Sequence, residues 1–235
     1  LLVMNQRKLS VKHLSTENSL KFKFIWLGQT ILKYQVPLDV FNTLNGIYEN
    51  NFKDMPDAHK QLVGKIGKEN SLFYGGKESP KMHKHNLLPP YVLNWFESVF
   101  KHYLEFNKIN QYKLAMQSIW VNEMKAGEYN PIHIHQGNIY TGLSSVMILK
   151  LPQDMGPEYA REDVPLNGRL QILGAANGQF VKSDYSPNAE ERDFYIFPYD
   201  MRHCVYPHTN SNAVRRTLAA NMDVDYNPVA TRTAG

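Results

Sequence analysis

The chain of 235 residues is 43% hydrophobic, 12% aromatic and 20% charged, which supplies a core and excludes disorder, collagen and coiled coil. Its 26 basic and 22 acidic residues leave a formal charge of +4 spread along the chain, so no nucleic-acid-binding stripe stands out. Nine histidines against one cysteine, Cys204, exclude an internal disulfide and a Cys-built zinc module, and leave imidazole and oxygen as the ligands for any transition metal.

No run approaches the ~18 apolar residues of a membrane span, and the first residues lack the apolar stretch of a signal peptide. A cytoplasmic protein with a reduced thiol is therefore expected.

In chain order, Phe22, Phe24 and Trp26 alternate on one extended segment, and a second, Gln29 to Tyr34, follows Gly28; together they read as a β-hairpin. Leu38 to Phe52 and Ala58 to Ile66 carry helical spacing, the second weakened by Gly64 and Gly67. The strongest helix opens at Pro89 and Pro90, where Val92, Trp95, Phe96, Val99, Phe100, Tyr103 and Leu104 recur every three or four residues as a core-facing stripe. After about Tyr112 the period drops to two. Met116 to Met124, Tyr140 to Leu151, Arg169 to Leu173, Phe194 to Phe197 and Arg216 to Met222 read as strands. One domain over 1–235 is expected: a hairpin and supporting helices to 111, an all-β unit over 112–226, and a tail over 227–235.

Within the β unit, His133 and His135 lie in Asn-Pro-Ile-His-Ile-His-Gln-Gly-Asn. On a strand, residues i and i+2 share a face roughly 6.6 Å apart, so two imidazoles can meet one ion while Ile134 points away into the packing. His203, in Phe-Pro-Tyr-Asp-Met-Arg-His-Cys-Val-Tyr-Pro, is the best third ligand. Arg215, Thr217, Ala219 and Asn221 share one face of the final strand, and Arg215 with Thr217 makes a clamp for a carboxylate. A His-x-His pair alone is a weak motif: His83 and His85 form another, between lysines, in what reads as a solvated segment. His13, His59, His102 and His208 read as surface or packing residues.

At these positions the sequence resembles the iron(II)/2-oxoglutarate oxygenases, and within them a group common in marine bacteria and their tailed phages. The matching residues are Trp120, Val121 and Asn122; Asn130, His133 and His135; Thr141 and Gly142; Phe197, Pro198 and His203; and Arg215, Thr217 and Asn221. The likeness covers about 115–225 and extends faintly to Leu62 to Ile66 as helical support. It implies a double-stranded β-helix, or cupin-like jelly roll, packed on the N-terminal helices, and in a phage-encoded protein a host-cytoplasmic location. It further implies Fe(II) held by His133, His135 and His203, and 2-oxoglutarate with its far carboxylate on Arg215 and Thr217. Asn122 and Tyr129 are further candidates beside the cosubstrate, and Tyr129 and Gln136 on the substrate side.

The implied reaction is hydroxylation of a C–H bond in a peptidyl side chain, proline being the first guess, or in a small molecule, with consumption of O2 and release of succinate and CO2. Most of the superfamily carries a carboxylate where this chain has His135; Asp184 and Asp200 are the nearby acidic residues that could replace it. Two alternatives follow: a three-His cupin-like dioxygenase that does not use 2-oxoglutarate, and a non-catalytic jelly-roll module. Substrate choice is expected in the loops 151–167 and 177–192.

Overall fold

The computed structural model describes residues 28–59, 62–160, 162–176 and 178–227. Its elements are β1 (Leu32–Gln35), α1 (Leu38–Asn51), β2 (Lys68–Tyr74), β3 (His85–Asn86), α2 (Pro90–Phe106), β4 (Tyr112–Met124), β5 (Asn130–His133), β6 (Gly142–Lys150), β7 (Leu170–Leu173), β8 (Asp184–Tyr185), β9 (Asp193–Pro198), β10 (Arg202–Val205) and β11 (Arg215–Tyr226). They build two antiparallel sheets, a seven-stranded one in the order β1-β9-β6-β11-β4-β2-β3 and a four-stranded one in the order β5-β10-β7-β8.

The large sheet has two different faces because its strands alternate. Leu218, Ala220, Met222 and Val224 of β11 join Ile119, Val121, Met147 and Phe194 in a core closed by α1 and α2. Helix α2 starts with proline at its first positions, where the missing N–H costs nothing. It buries Val92, Phe96, Phe100, Tyr103 and Leu104. Phe194 of β9 meets Trp95, Phe96 and Phe100 with ring centroids 5.3, 5.7 and 6.3 Å away. The opposite face packs on the small sheet through Met124, Val146, Ile148, Leu170, Ile172, Tyr195 and Phe197, and the site lies between the sheets. The architecture is the expected jelly roll.

Several expectations change. The segment with Phe22, Phe24 and Trp26 lies outside the described residues; of its proposed hairpin partner, Leu32–Gln35 forms β1 and pairs with β9. Of the helix expected over 58–66, the described residues 58–59 and 62–66 form no α-helical turn. Ala58 N donates to Glu69 O and Lys65 N to Tyr129 O, so the backbone is committed across the sheet, and β2 follows directly. Strands β1, β2 and β3 all precede residue 112 yet complete the large sheet. Ile134, one residue past the end of β5, is 57% exposed instead of packed.

Candidate active site

Register brings the three expected histidines together. His203 on β10 lies directly opposite His133 on β5. His135 follows the end of β5 and is anchored by its own N–H to Tyr199 O. The turn beyond it is tight: a Cβ on Gly137 would sit 1.8 Å from Asp223 Oδ1, so only glycine fits, while Asp223 accepts from Asn138 N and Tyr199 Oη. A Cβ on Gly142 would come within 2.2 Å of Tyr199 Cε2, which accounts for glycine at the start of β6.

The ligand atoms of His133, His135 and His203 all lie within 4.8 Å of one another. His133 Nδ1 donates to Pro131 O at 2.7 Å and His203 Nδ1 to Met201 O at 3.0 Å, which leaves both Nε2 lone pairs bare. His135 Nδ1 lies 3.2 Å from the Asn221 side-chain amide, whose Oδ1 is buried without a partner. Turning that amide, whose O and N positions are inferred from hydrogen bonding, lets Oδ1 accept from Nδ1 and bares the third Nε2 as well. His135 Nε2 and His203 Nε2 stand 3.1 Å apart. Each imidazole thus has an outer hydrogen bond fixing its ring, as metal-ligating histidines do.

Burial keeps these rings neutral. Desolvation pushes His203 down to about 3, assisted by His133, and holds His135 well below the ordinary value, assisted by its two neighbours. His133 is lowered by desolvation too. Three neutral imidazoles with free lone pairs suit a divalent transition metal. No carboxylate joins them among the described residues: Asp184 accepts from Gln171 and Asp200 from Gln29.

Arg215, Thr217 and Asn122 lie on the inter-sheet face. Thr217 is the cross-strand partner of Asn122 on β4 and of Ile148 on β6. Arg215 is 1% exposed; among the described residues Nη1 reaches Met124 Sδ at 3.8 Å and Nε has no partner. Desolvation lowers its pKa to about 10. Next to it Arg216 is fully paired, with two donors to Glu123 Oε2 at 3.0 and 3.2 Å and one to Glu49. An unpaired buried guanidinium is costly. With the unpaired Asn122 Oδ1 beside the row, it fits a carboxylate-bearing ligand.

A cavity of about 390 Å³ opens on the triad, lined by His133, His135 and Gln136 together with Glu69, Ser71, Trp120 and Asn221. The cavity lining does not include His203, Asn122, Arg215, Thr217 or Tyr129; Tyr129 is 39% exposed and pairs through its backbone with Lys65. Nor does it include any described residue of 151–192. The wall facing the triad comes instead from β2 and the turns around it, so the loops expected to choose the substrate do not line this cavity.

Two residues here escaped sequence reading. Ser144, fully buried with an unpaired Oγ, is the cross-strand neighbour of Asn221 and Phe197. Glu69 sits on a segment whose helical spacing upstream concealed the strand. His85, expected in a solvated segment, instead places Nε2 2.9 Å from Ser71 Oγ behind the same wall, because His85–Asn86 pairs with β2.

Residues 118–221 match the family model described as "Putative 2OG-Fe(II) oxygenase". No curated protein sequence matches the chain. Among solved structures the fold is similar to an oxidoreductase of the 2OG-Fe(II) oxygenase family from Burkholderia pseudomallei (11% identity, 83% of this chain and 84% of that one, TM-score 0.52). It is also similar to a prolyl hydroxylase from Trichoplax adhaerens solved with a hypoxia inducible factor peptide fragment (12% identity, 88% and 87%, TM-score 0.50). A third likeness is to AviO1 from Streptomyces viridochromogenes (14% identity, 86% and 91%, TM-score 0.50).

Proposed function

We propose that the chain, whose residues 118–221 match the family model of 2OG-Fe(II) oxygenases, is an Fe(II)- and 2-oxoglutarate-dependent hydroxylase using His133, His135 and His203 as metal ligands. Bound Fe(II) and 2-oxoglutarate supply the oxidising power that hydroxylates a C–H bond, with O2 consumed and succinate and CO2 released. The observation that carries the reading is a cluster of three imidazoles on the same inter-sheet face as Arg215, a buried cation with no counter-ion among the described residues.

The chain's residues act by binding and orientation. Pro131 O, Met201 O and Asn221 hold the three rings with Nε2 directed inward. Arg215 takes the far carboxylate of 2-oxoglutarate in a bidentate contact, with Thr217 and Asn122 as neighbouring polar groups. Because the ligands are neutral, the dianionic cosubstrate balances the 2+ charge of the metal. Gln136 lies on the substrate side, and Tyr129 contributes at the rim. The substrate is a peptidyl side chain or a small molecule; proline enters by analogy with the Trichoplax enzyme and its peptide.

The test is succinate formation from 2-oxoglutarate with Fe(II) and O2. His133→Ala and His203→Ala are expected to abolish it, and retained turnover in either would sink the assignment. The all-imidazole ligand set also favours a second reading, a cupin-like dioxygenase in which Arg215 clamps the substrate's own carboxylate. That enzyme would consume O2 with substrate in the absence of 2-oxoglutarate. A non-catalytic jelly roll has no use for an unpaired buried arginine.

A further inference from the structure

We infer that Glu69 is the specificity-determining residue of the cavity, and that it selects a substrate carrying an ammonium or guanidinium group. This rests on the oxygenase reading of the same site and names its substrate class.

Glu69 lines the cavity that opens on His133 and His135, and among the described lining residues it is the sole Asp, Glu, Lys or Arg side chain. It lies on β2 opposite Asn122, with Ser71 two residues on opposite Trp120, so its strand turns this carboxylate toward the inter-sheet space. The residue is 2% exposed. Oε2 is held by His59 Nδ1 at 2.8 Å, whereas Oε1 is buried with no partner. One oxygen is therefore fixed by the protein and the other is left for a donor that the described residues do not provide.

The surroundings favour a cation over a neutral donor. Asp57 and Glu128 both act on Glu69 as like charges, and His59 acts against them. Desolvation raises the carboxyl to about 7, a cost that an incoming positive charge offsets. Lys68, the neighbouring base on β2, is directed to Glu123 and to the ring of Phe52. Trp120, Tyr74 and Met82 form an apolar group beside the carboxylate, and aromatic faces suit the stem and head of a cationic side chain. The cavity therefore has a metal site on one side and a single anionic anchor on the other, so an amine-bearing or guanidinium-bearing substrate would present a C–H bond between them.

The test is calorimetric titration of the Mn(II)-loaded protein with 2-oxoglutarate, where nothing turns over. Ligands are arginine against citrulline and lysine against norleucine, each free as its Nα-acetyl N-methylamide, so that the side chain is the only possible cation, and as the central residue of a blocked alanine tripeptide. The cationic member is expected to bind at least roughly thirtyfold more tightly than its neutral isostere, in keeping with the cost of leaving a buried charge unpaired. In Glu69→Gln, which retains an acceptor for His59, that preference should collapse. Equal binding of cation and isostere in the wild type overturns the proposal, and that comparison needs no variant. An undiminished preference in folded Glu69→Gln also overturns it. Whichever of free or peptide-borne ligands shows the preference identifies the source. The 2-oxoglutarate titration of the same protein is read separately: its failure counts against the oxygenase reading, while the isostere comparison decides Glu69.

Discussion

Arg215 and Arg216 are consecutive residues with opposite circumstances. Arg216 has Glu123, Glu49 and the face of Tyr48; Arg215 has a thioether and an orphaned Nε. A buried charge held without a counter-ion lowers the stability of the empty protein and is retained for what it binds. Arg215→Met is therefore expected to raise the unfolding free energy of the metal-free protein by about 1–4 kcal/mol, measured in urea, while removing 2-oxoglutarate binding. Loss of stability instead would mean that Arg215 has a structural role.

The histidines carry a pH signature. His203 is held at about 3 against an ordinary 6.5, so as pH falls below 6.5 the unfolded chain takes up the proton first and the folded state loses stability until about pH 3. Between pH 6.5 and 4 the metal-free wild type should lose more stability than His203→Gln. Parallel curves would show that the ring is solvated. Glu69 has the opposite sign: raised to about 7 from 4.5, it favours the folded state at low pH, and that contribution is lost as pH rises through 7.

At the scale of elements, the site depends on a sheet held from behind. Phe194 lies on β9 under three aromatic rings of α2. Phe194→Ala is expected to cost about 3–5 kcal/mol by chemical denaturation. A cost below 1 kcal/mol would mean that the helix does not brace the sheet. The stripe of α2 was legible in the sequence because its seven apolar positions repeat at helical spacing between a double proline and Asn107. Strand β11 was legible because two chemistries alternate along it, Leu218 and Ala220 toward the helices, Arg215 and Thr217 toward the site. Strand β2 was not. Lys68-Glu69-Asn70-Ser71 has poor strand propensity, and it turns Glu69 and Ser71 inward, the reverse of the usual pattern; only pairing with β4 makes it a strand. His59 and His85 looked idle for the same reason, since their partners Glu69 and Ser71 belong to the strand that periodicity missed.

On the scale of the whole molecule, the large sheet separates two tasks. Its helix-facing side is mainly hydrocarbon, and its polar members are satisfied: Arg216 on Glu123 and Glu49, and Ser145 Oγ on Ala220 O. Its inner side carries a row of polar groups, Asn122, Ser144, Arg215 and Asn221, each with a buried atom lacking a partner. Unpaired buried groups are rare in folded proteins, and this set lies along one face between the sheets with the histidines. That distribution is the signature of a site completed by a metal and a carboxylate ligand. Among the described residues no helix is long and apolar enough to cross a membrane.

The most direct test is optical. Anaerobic protein loaded with Fe(II) should develop a weak visible charge-transfer band on addition of 2-oxoglutarate, at one equivalent per chain, and Arg215→Met should not develop it at the same concentration. Iron uptake at the three histidines with no band at saturating 2-oxoglutarate would contradict the account.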